Sequence, residues 1–156
     1  MLVKILITFL VSMVPVIELR GGLPIGLSGQ FGPSLNYWLA LGVCIVGNLV
    51  PVPFIIIFIK KIFAWMRKTS KKWDGLVTKL EKRAESKGET VKKYAFWGLF
   101  LFVAIPLPGT GAWTGALIAA MLDMDLKKAM PSIILGVFGA ATIVSAVWFG
   151  LDVALF

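Results

Sequence analysis

Two clusters of proline and glycine break apolar runs that would otherwise be long enough to cross a membrane. The first reads Pro15-Val-Ile-Glu18-Leu-Arg20-Gly21-Gly22-Leu-Pro24-Ile-Gly26, and the second runs from Ala104 through Pro106, Pro108, Gly109, Thr110, Gly111, Trp113 and Thr114 to Gly115. On either side lie apolar arms of roughly 9 to 14 residues, about 14 to 21 Å long as helix at 1.5 Å per residue. A hydrocarbon core about 30 Å thick needs about 20 apolar residues. Two short arms around such a tip predict a re-entrant helical hairpin, once at 1–30 and again at 94–122. Irregular backbone at membrane depth is tolerated only where protein buries it or a water-filled cavity faces it. The alternative is that each arm is a tilted span.

Composition sets the solvent. Of 156 residues, 58% are hydrophobic and 15% charged, with a mean hydropathy of +0.90. A soluble domain carries about a quarter charged residues, so a single membrane domain is expected. There is no histidine and one cysteine. A histidine base, a Cys/His zinc site and an internal disulfide are therefore excluded together. Cys44, within an apolar run, reads as a small buried hydrophobe. Neither a cofactor nor a metal is expected, since the scarce acids form no cluster. No nucleophile–base pair, P-loop or dinucleotide fingerprint appears, so no enzyme is expected.

The net charge of +8 sits in one block. Residues 60–93 hold twelve basic residues and four acids, whereas the other basic and acidic residues cancel. A block between two apolar halves argues against a nucleic-acid partner and for a cytoplasmic connector beside anionic lipid, because basic loops resist translocation. Phe63, Met66, Trp73, Val77, Leu80 and Ala84 recur at helical spacing, with Gly75 and Gly88 as interruptions. The segment is either a lipid- or partner-binding helix or a solvated linker that only fixes topology.

Full-length runs follow each hairpin. Residues 37–59 form one, notched by Asn48 and Pro51-Val-Pro53, and residues 129–149 form the other, with Pro131 near its start. If 1–30 re-enters, 37–59 crosses to the cytoplasm, 94–122 re-enters from inside, and 129–149 crosses back. Residues 31–36 carry no basic residue and 123–128 carry Lys127 and Lys128, in keeping with that count. The expected fold is thus all-α and integral to the membrane. Two inverted repeats, each a re-entrant hairpin followed by a transmembrane helix, are joined by the basic segment, a plan used by transporters with midplane sites. Lys4 and the outward termini fit this count less well. A cleaved signal peptide would explain Lys4 and the first apolar run, but no small-x-small cleavage site follows.

Glu18 and Arg20 are the only charges between Lys4 and Lys60. Charges in apolar surroundings cost several kcal/mol unless paired or wetted, which makes both functional candidates. Glu18 suits proton coupling, and Arg20 suits a bidentate hold on a phosphate. The plainer reading is that they pair, or that they cap hairpin backbone. Gly21, Gly22, Gly109 and Gly111, with Pro24, Pro106 and Pro108, shape the tips, where free N–H and C=O groups form ion sites. Thr110 and Thr114 offer hydroxyls. Trp113 would either stack on an organic cation or simply pack. Asn48 would contact a tip or hydrogen-bond another helix. Asp123 and Asp125 read as a solvated turn.

The motifs Pro15-x-x-Glu18-Leu-Arg20-Gly21-Gly22-x-Pro24-x-Gly26 and Pro106-Leu-Pro108-Gly109-Thr110-Gly111-Ala112-Trp113 resemble those of the small multidrug export family of short prokaryotic membrane proteins. That family is grouped with the DedA superfamily, whose members share paired re-entrant loops and are implicated in moving lipids, including undecaprenyl phosphate. The resemblance covers essentially the whole chain. It implies a multi-pass protein of a prokaryotic cytoplasmic membrane that translocates an amphipathic substrate such as a lipid phosphate. The second tip departs from the DedA pattern, which usually has arginines nearby, whereas this chain has Thr110, Thr114 and no charge there. Taken together, a proton-coupled transporter or lipid translocase is expected, with membrane lipids as partners and a homodimer supplying more wall. The other readings are export of a hydrophobic drug cation, and a scaffold acting through residues 60–93.

Overall fold

The computed structural model describes residues 1–69, 75, 78, 88–107 and 109–155, and these are helical with no strand among them. Among the described residues seven helices follow in order: α1 Leu2–Met13, α2 Glu18–Leu27, α3 Tyr37–Leu49, α4 Pro51–Thr69, α5 Gly88–Ala104, α6 Ala112–Met121 and α7 Leu126–Leu155. The helical pattern expected from Trp73 to Ala84 lies outside the described residues.

Two stretches are long and apolar enough to cross a membrane, Tyr37–Ile62 and Leu126–Gly150. At 26 and 25 residues they measure about 39 and 38 Å. The first passes through the α3–α4 junction, where Val50 itself keeps helical dihedrals. Pro51 and Pro53 lack N–H groups, so the ladder is thinned there although the axis continues. Helices α1, α2 and α6, at 12, 10 and 10 residues, are each about 18 Å or less.

Helix α1 is turned inside out. Its buried residues are Lys4, Thr8 and Ser12, one turn apart, while Leu2, Val3, Leu6 and Leu10 are exposed. In water that arrangement would be backwards. In lipid it is the stable one, because the hydrocarbon solvates leucine and the polar groups must find partners inward. Lys4 is fully buried and donates to the carbonyls of Ser28, at 2.8 Å, and of Gln30. A cation at carbonyls just past the C-terminus of α2 is favoured by the helix dipole and satisfies free acceptors. Lys4 thereby ties the start of α1 to the end of α2.

Small residues set how closely the helices approach. A Cβ at Gly26 would lie 3.1 Å from Ala40 of α3 and 3.1 Å from Thr8 of α1. One turn along, a Cβ at Gly22 would overlap Ser12 Oγ and stand 3.0 Å from Cys44 Sγ. Cys44 is buried in this layer, as a small hydrophobe would be. In the second half α5 packs on α7, and a Cβ at Gly136 would fall 2.6 Å from Val103 Cβ. Gly21, Gly22, Pro24 and Gly26 lie within α2; Gly22 and Gly26 serve helix packing, Gly21 faces Ile17 of the turn, and the turn itself falls at 14–17.

Two contacts fix which ends share a level. Tyr37 Oη lies 2.7 Å from Ser145 Oγ and its ring 4.8 Å from that of Phe149, so α3 begins where α7 nears its end. Lys60 Nζ reaches Asp123 Oδ1 at 2.9 Å and the Met124 carbonyl at 2.8 Å, so the far end of the first span meets the turn before α7. The two spans run antiparallel.

The packing predicts opposite effects for two glycines of α3. Gly47→Ala would push a methyl to 2.7 Å from the Phe9 carbonyl, whereas Gly42 has nothing within 4 Å. Thermal unfolding in lipid nanodiscs should show Gly47→Ala destabilised by about 1–3 kcal/mol. Gly42→Ala should be neutral or stabilised by up to about 1 kcal/mol.

Candidate functional site

The tips of the two hairpins meet. Helix α1 stops at Met13, and the chain turns through residues 14–17 with Val16 and Glu18 in left-handed conformation (φ 76° and 47°). Helix α5 stops at Ala104, and the second turn runs to Gly111, with Gly109 and Gly111 at φ 84° and 151°. The second turn uses glycine where positive φ is needed; the first places a β-branched residue and an acid there, a conformation costing about 1–2 kcal/mol each.

Broken helices leave donors and acceptors without intrahelical partners, and each tip supplies the other. Glu18 is buried and accepts at Oε1 from the backbone N–H of Trp113, 3.2 Å away in the first turn of α6. Gly111, which precedes α6, brings no capping side chain. The acid from the first hairpin therefore stands at the N-terminus of a helix in the second, where the dipole favours it. Arg20 works at the other side of the turn. Its guanidinium donates to the Leu107 carbonyl and, at 2.7 Å, to the Thr110 carbonyl, with Thr110 Oγ1 at 3.2 Å. In return the Trp113 indole donates to the Met13 carbonyl at 2.9 Å, closing the end of α1.

Thr110 holds its own turn together. Its hydroxyl lies 2.6 Å from the Ile105 carbonyl and 2.8 Å from that of Leu107, and it accepts from Leu107 N–H at 3.0 Å. Gly111 is the pivot of the contact, because a Cβ there would occupy the space of the Glu18 carboxyl.

The expected site residues thus separate into groups. Glu18, Arg20, Thr110, Gly111 and Trp113 come together directly. Glu18 and Arg20 do not pair within 4 Å; among the described residues the one salt bridge is Lys60–Asp123. They fill instead the capping role that the sequence left as the plainer reading. Gly109 and Pro106 lie in the turn, Gly21, Gly22 and Pro24 on α2, and Thr114 on α6 without a hydrogen bond to the first tip. Pro108 lies outside the described residues. Asn48 is buried on α3 and its Oδ1 has no partner. The Met13 and Leu107 carbonyls were not foreseen, since main-chain partners leave no mark in a sequence. The Lys4–Thr8–Ser12 stripe was legible by its spacing of four. Among the described residues no three His, Cys, Asp or Glu side chains gather as a metal site.

An inside-out helix, two membrane-length spans and two short hairpins joined tip to tip define a helical membrane protein with a polar contact inside it. The family model described as "Putative small multi-drug export protein" matches residues 18–143, from the acid of the first tip to near the end of the second span, and the chain belongs to that family. No curated protein and no solved structure matches the chain.

Both tips act through one contact, which predicts non-additive substitutions. Gly111→Ala and Arg20→Gln should each lower the unfolding temperature in nanodiscs. The double variant should lose less than the two together, with a coupling of about 0.5–3 kcal/mol. Strict additivity would mean that the tips do not act as a unit.

Proposed function

We propose that this chain is a proton-coupled membrane transporter for an amphipathic substrate, of the DedA-like lipid-translocase type, with the tip-to-tip contact as its closed gate. The observation that carries the reading is the composition of that contact. It is made of hydrogen bonds between one hairpin's side chains and the other's backbone, with Glu18 and Arg20 both engaged. Such a junction separates without unfolding either hairpin. Parting the tips would free the guanidinium for an anionic headgroup and the N-terminus of α6 for the same charge. The left-handed Val16 and Glu18 support the reading, since residues held in sparse conformations gather at switches and sites.

The inverted-repeat plan belongs to this proposal. Contacts α1 on α3 and α5 on α7 give the two halves the same packing order. The Lys4 tie supports a first hairpin whose two ends share one face. The Lys60–Asp123 level, with Lys127 and Lys128 at the start of α7, supports a cytoplasmic side there. Residues 31–36 then face outward. A single chain offers few helices to enclose a path, and a homodimer would supply more wall.

The test is flux in vesicles carrying a fluorescent lipid phosphate in one leaflet under an imposed pH gradient. Wild-type protein should redistribute the label, and Glu18→Gln, reconstituted to the same level, should lose at least tenfold in rate. Replacing residues 70–87 by a neutral linker should leave the flux in place. If that replacement abolishes activity while Glu18→Gln does not, the scaffold reading stands instead. Efflux of a hydrophobic cation with no lipid movement would assign drug export.

A further inference from the structure

Among the described residues two buried side-chain oxygens have no hydrogen-bond partner, Thr8 Oγ1 on α1 and Asn48 Oδ1 on α3, and Asn48 is the one on the helix that touches α6. It is 4% exposed, its Oδ1 has no hydrogen-bond partner, and no described neighbour donates to or accepts from it. A buried carbonyl oxygen without a donor costs about 1–3 kcal/mol, so its place in the fold matters. Helices α2 and α3 pack antiparallel in a register of one turn per step, Gly26 opposite Ala40 and Gly22 opposite Cys44. Ala40, Cys44 and Asn48 are spaced by four along one face of α3, and Gly26, Gly22 and Glu18 are spaced by four along α2. The next step of the register sets Asn48 level with Glu18. Helix α3 also touches α6, whose first turn holds the Glu18 carboxyl.

Glu18 is itself incompletely satisfied. Its Oε1 has one long hydrogen bond of 3.2 Å from Trp113 N–H, and its Oε2 has none among the described residues. Charge-assisted hydrogen bonds to a carboxylate run shorter, about 2.7–2.9 Å. A buried carboxylate without an ion pair would need more donors than one. A protonated carboxyl needs fewer: its carbonyl oxygen accepts from Trp113 and its O–H seeks an acceptor. At the same level stands an amide oxygen that has no donor.

We infer that Asn48 is the acceptor for the proton carried by Glu18, so that the carboxyl, the Asn48 amide and the Trp113 N–H together form the proton seat of the closed state. Asn48 acts through Glu18 and is a positioning residue. The charged and titratable groups around the seat are few. On α2 there is Arg20, turned to the second tip; on α3, Cys44, one turn away. Helix α6 contributes backbone N–H and Trp113. On α1, Lys4 lies at the opposite end, held by Ser28 and Gln30. The inference rests on the reading of Glu18 as proton carrier and names the group that holds its proton.

The experiment is infrared difference spectroscopy of the full chain in nanodiscs during a pH titration, which follows the protonated carboxyl without any substrate. Glu18→Gln assigns the band. Asn48→Leu removes the acceptor while keeping the volume, and Asn48→Ala guards against a misfit of leucine. Both should shift the Glu18 band to the frequency of a free carboxyl and weaken proton affinity about tenfold, the worth of one hydrogen bond. An unchanged band and midpoint in whichever variant stays folded would overturn the inference. So would tighter proton binding, which would mean that Asn48 donates to the carboxylate, and so would the absence of any Glu18 band. Because no turnover is involved, a missing flux in vesicles would count against the transport reading alone.

Discussion

A helix that stops inside the protein leaves backbone groups that have to find hydrogen bonds there, and the rest of this structure follows from how that need is met. Each hairpin exposes the end of one helix and the start of another at its tip. Three of the groups that most need partners are paired across the gap. The α6 N-terminus takes Glu18, the turn after α5 takes Arg20, and the end of α1 takes the Trp113 indole. The fourth demand, at the outer end of α2, is met by Lys4 from within the same hairpin. Three of the few charges outside the basic segment are thereby spent on backbone, which is why they survive in a lipid-facing protein.

Close approach makes these reaches short enough. Gly22, Gly26 and Gly47 let α1, α2 and α3 pack almost backbone to backbone, and Gly115, Gly136 and Gly139 do the same for α5, α6 and α7. Between lipid-exposed helices there is little hydrophobic gain, since the hydrocarbon is as apolar as leucine, so packing and hydrogen bonding carry the association. The two halves are not separate bundles, since Val52 and Ile56 of α4 share one core with α5, α6 and α7. They are joined by the α4–α6 and α3–α7 contacts and by a small polar junction at the tips. A junction of that kind is the natural place for movement, because its contacts are few and separable.

The same constraint explains which parts of the site were readable. Glu18 and Arg20 announce themselves by being charged where nothing else is. Gly109 and Gly111 announce a turn because their conformations suit glycine. Gly21, Gly22 and Gly26 look like turn residues and yet lie in α2, where Gly22 and Gly26 mark close helix crossings. The first turn instead falls on Val14 to Ile17, with positive φ at Val16, a residue whose own preference points elsewhere. Lys4 looked like a topology signal because its partners are carbonyls 24 and 26 residues away.

By itself the sequence determined the apolar, all-helical class, the two stretches of membrane length and the charged residues that meet the second tip. Hydropathy, run length and charge placement act locally and are written residue by residue. Only the tertiary structure decided that the acid and the arginine reach the opposite hairpin instead of each other. It alone decided that the lysine closes a helix end. Those outcomes depend on backbone groups far apart in the chain, and every residue carries the same N–H and C=O, so no sequence pattern distinguishes the ones that are used.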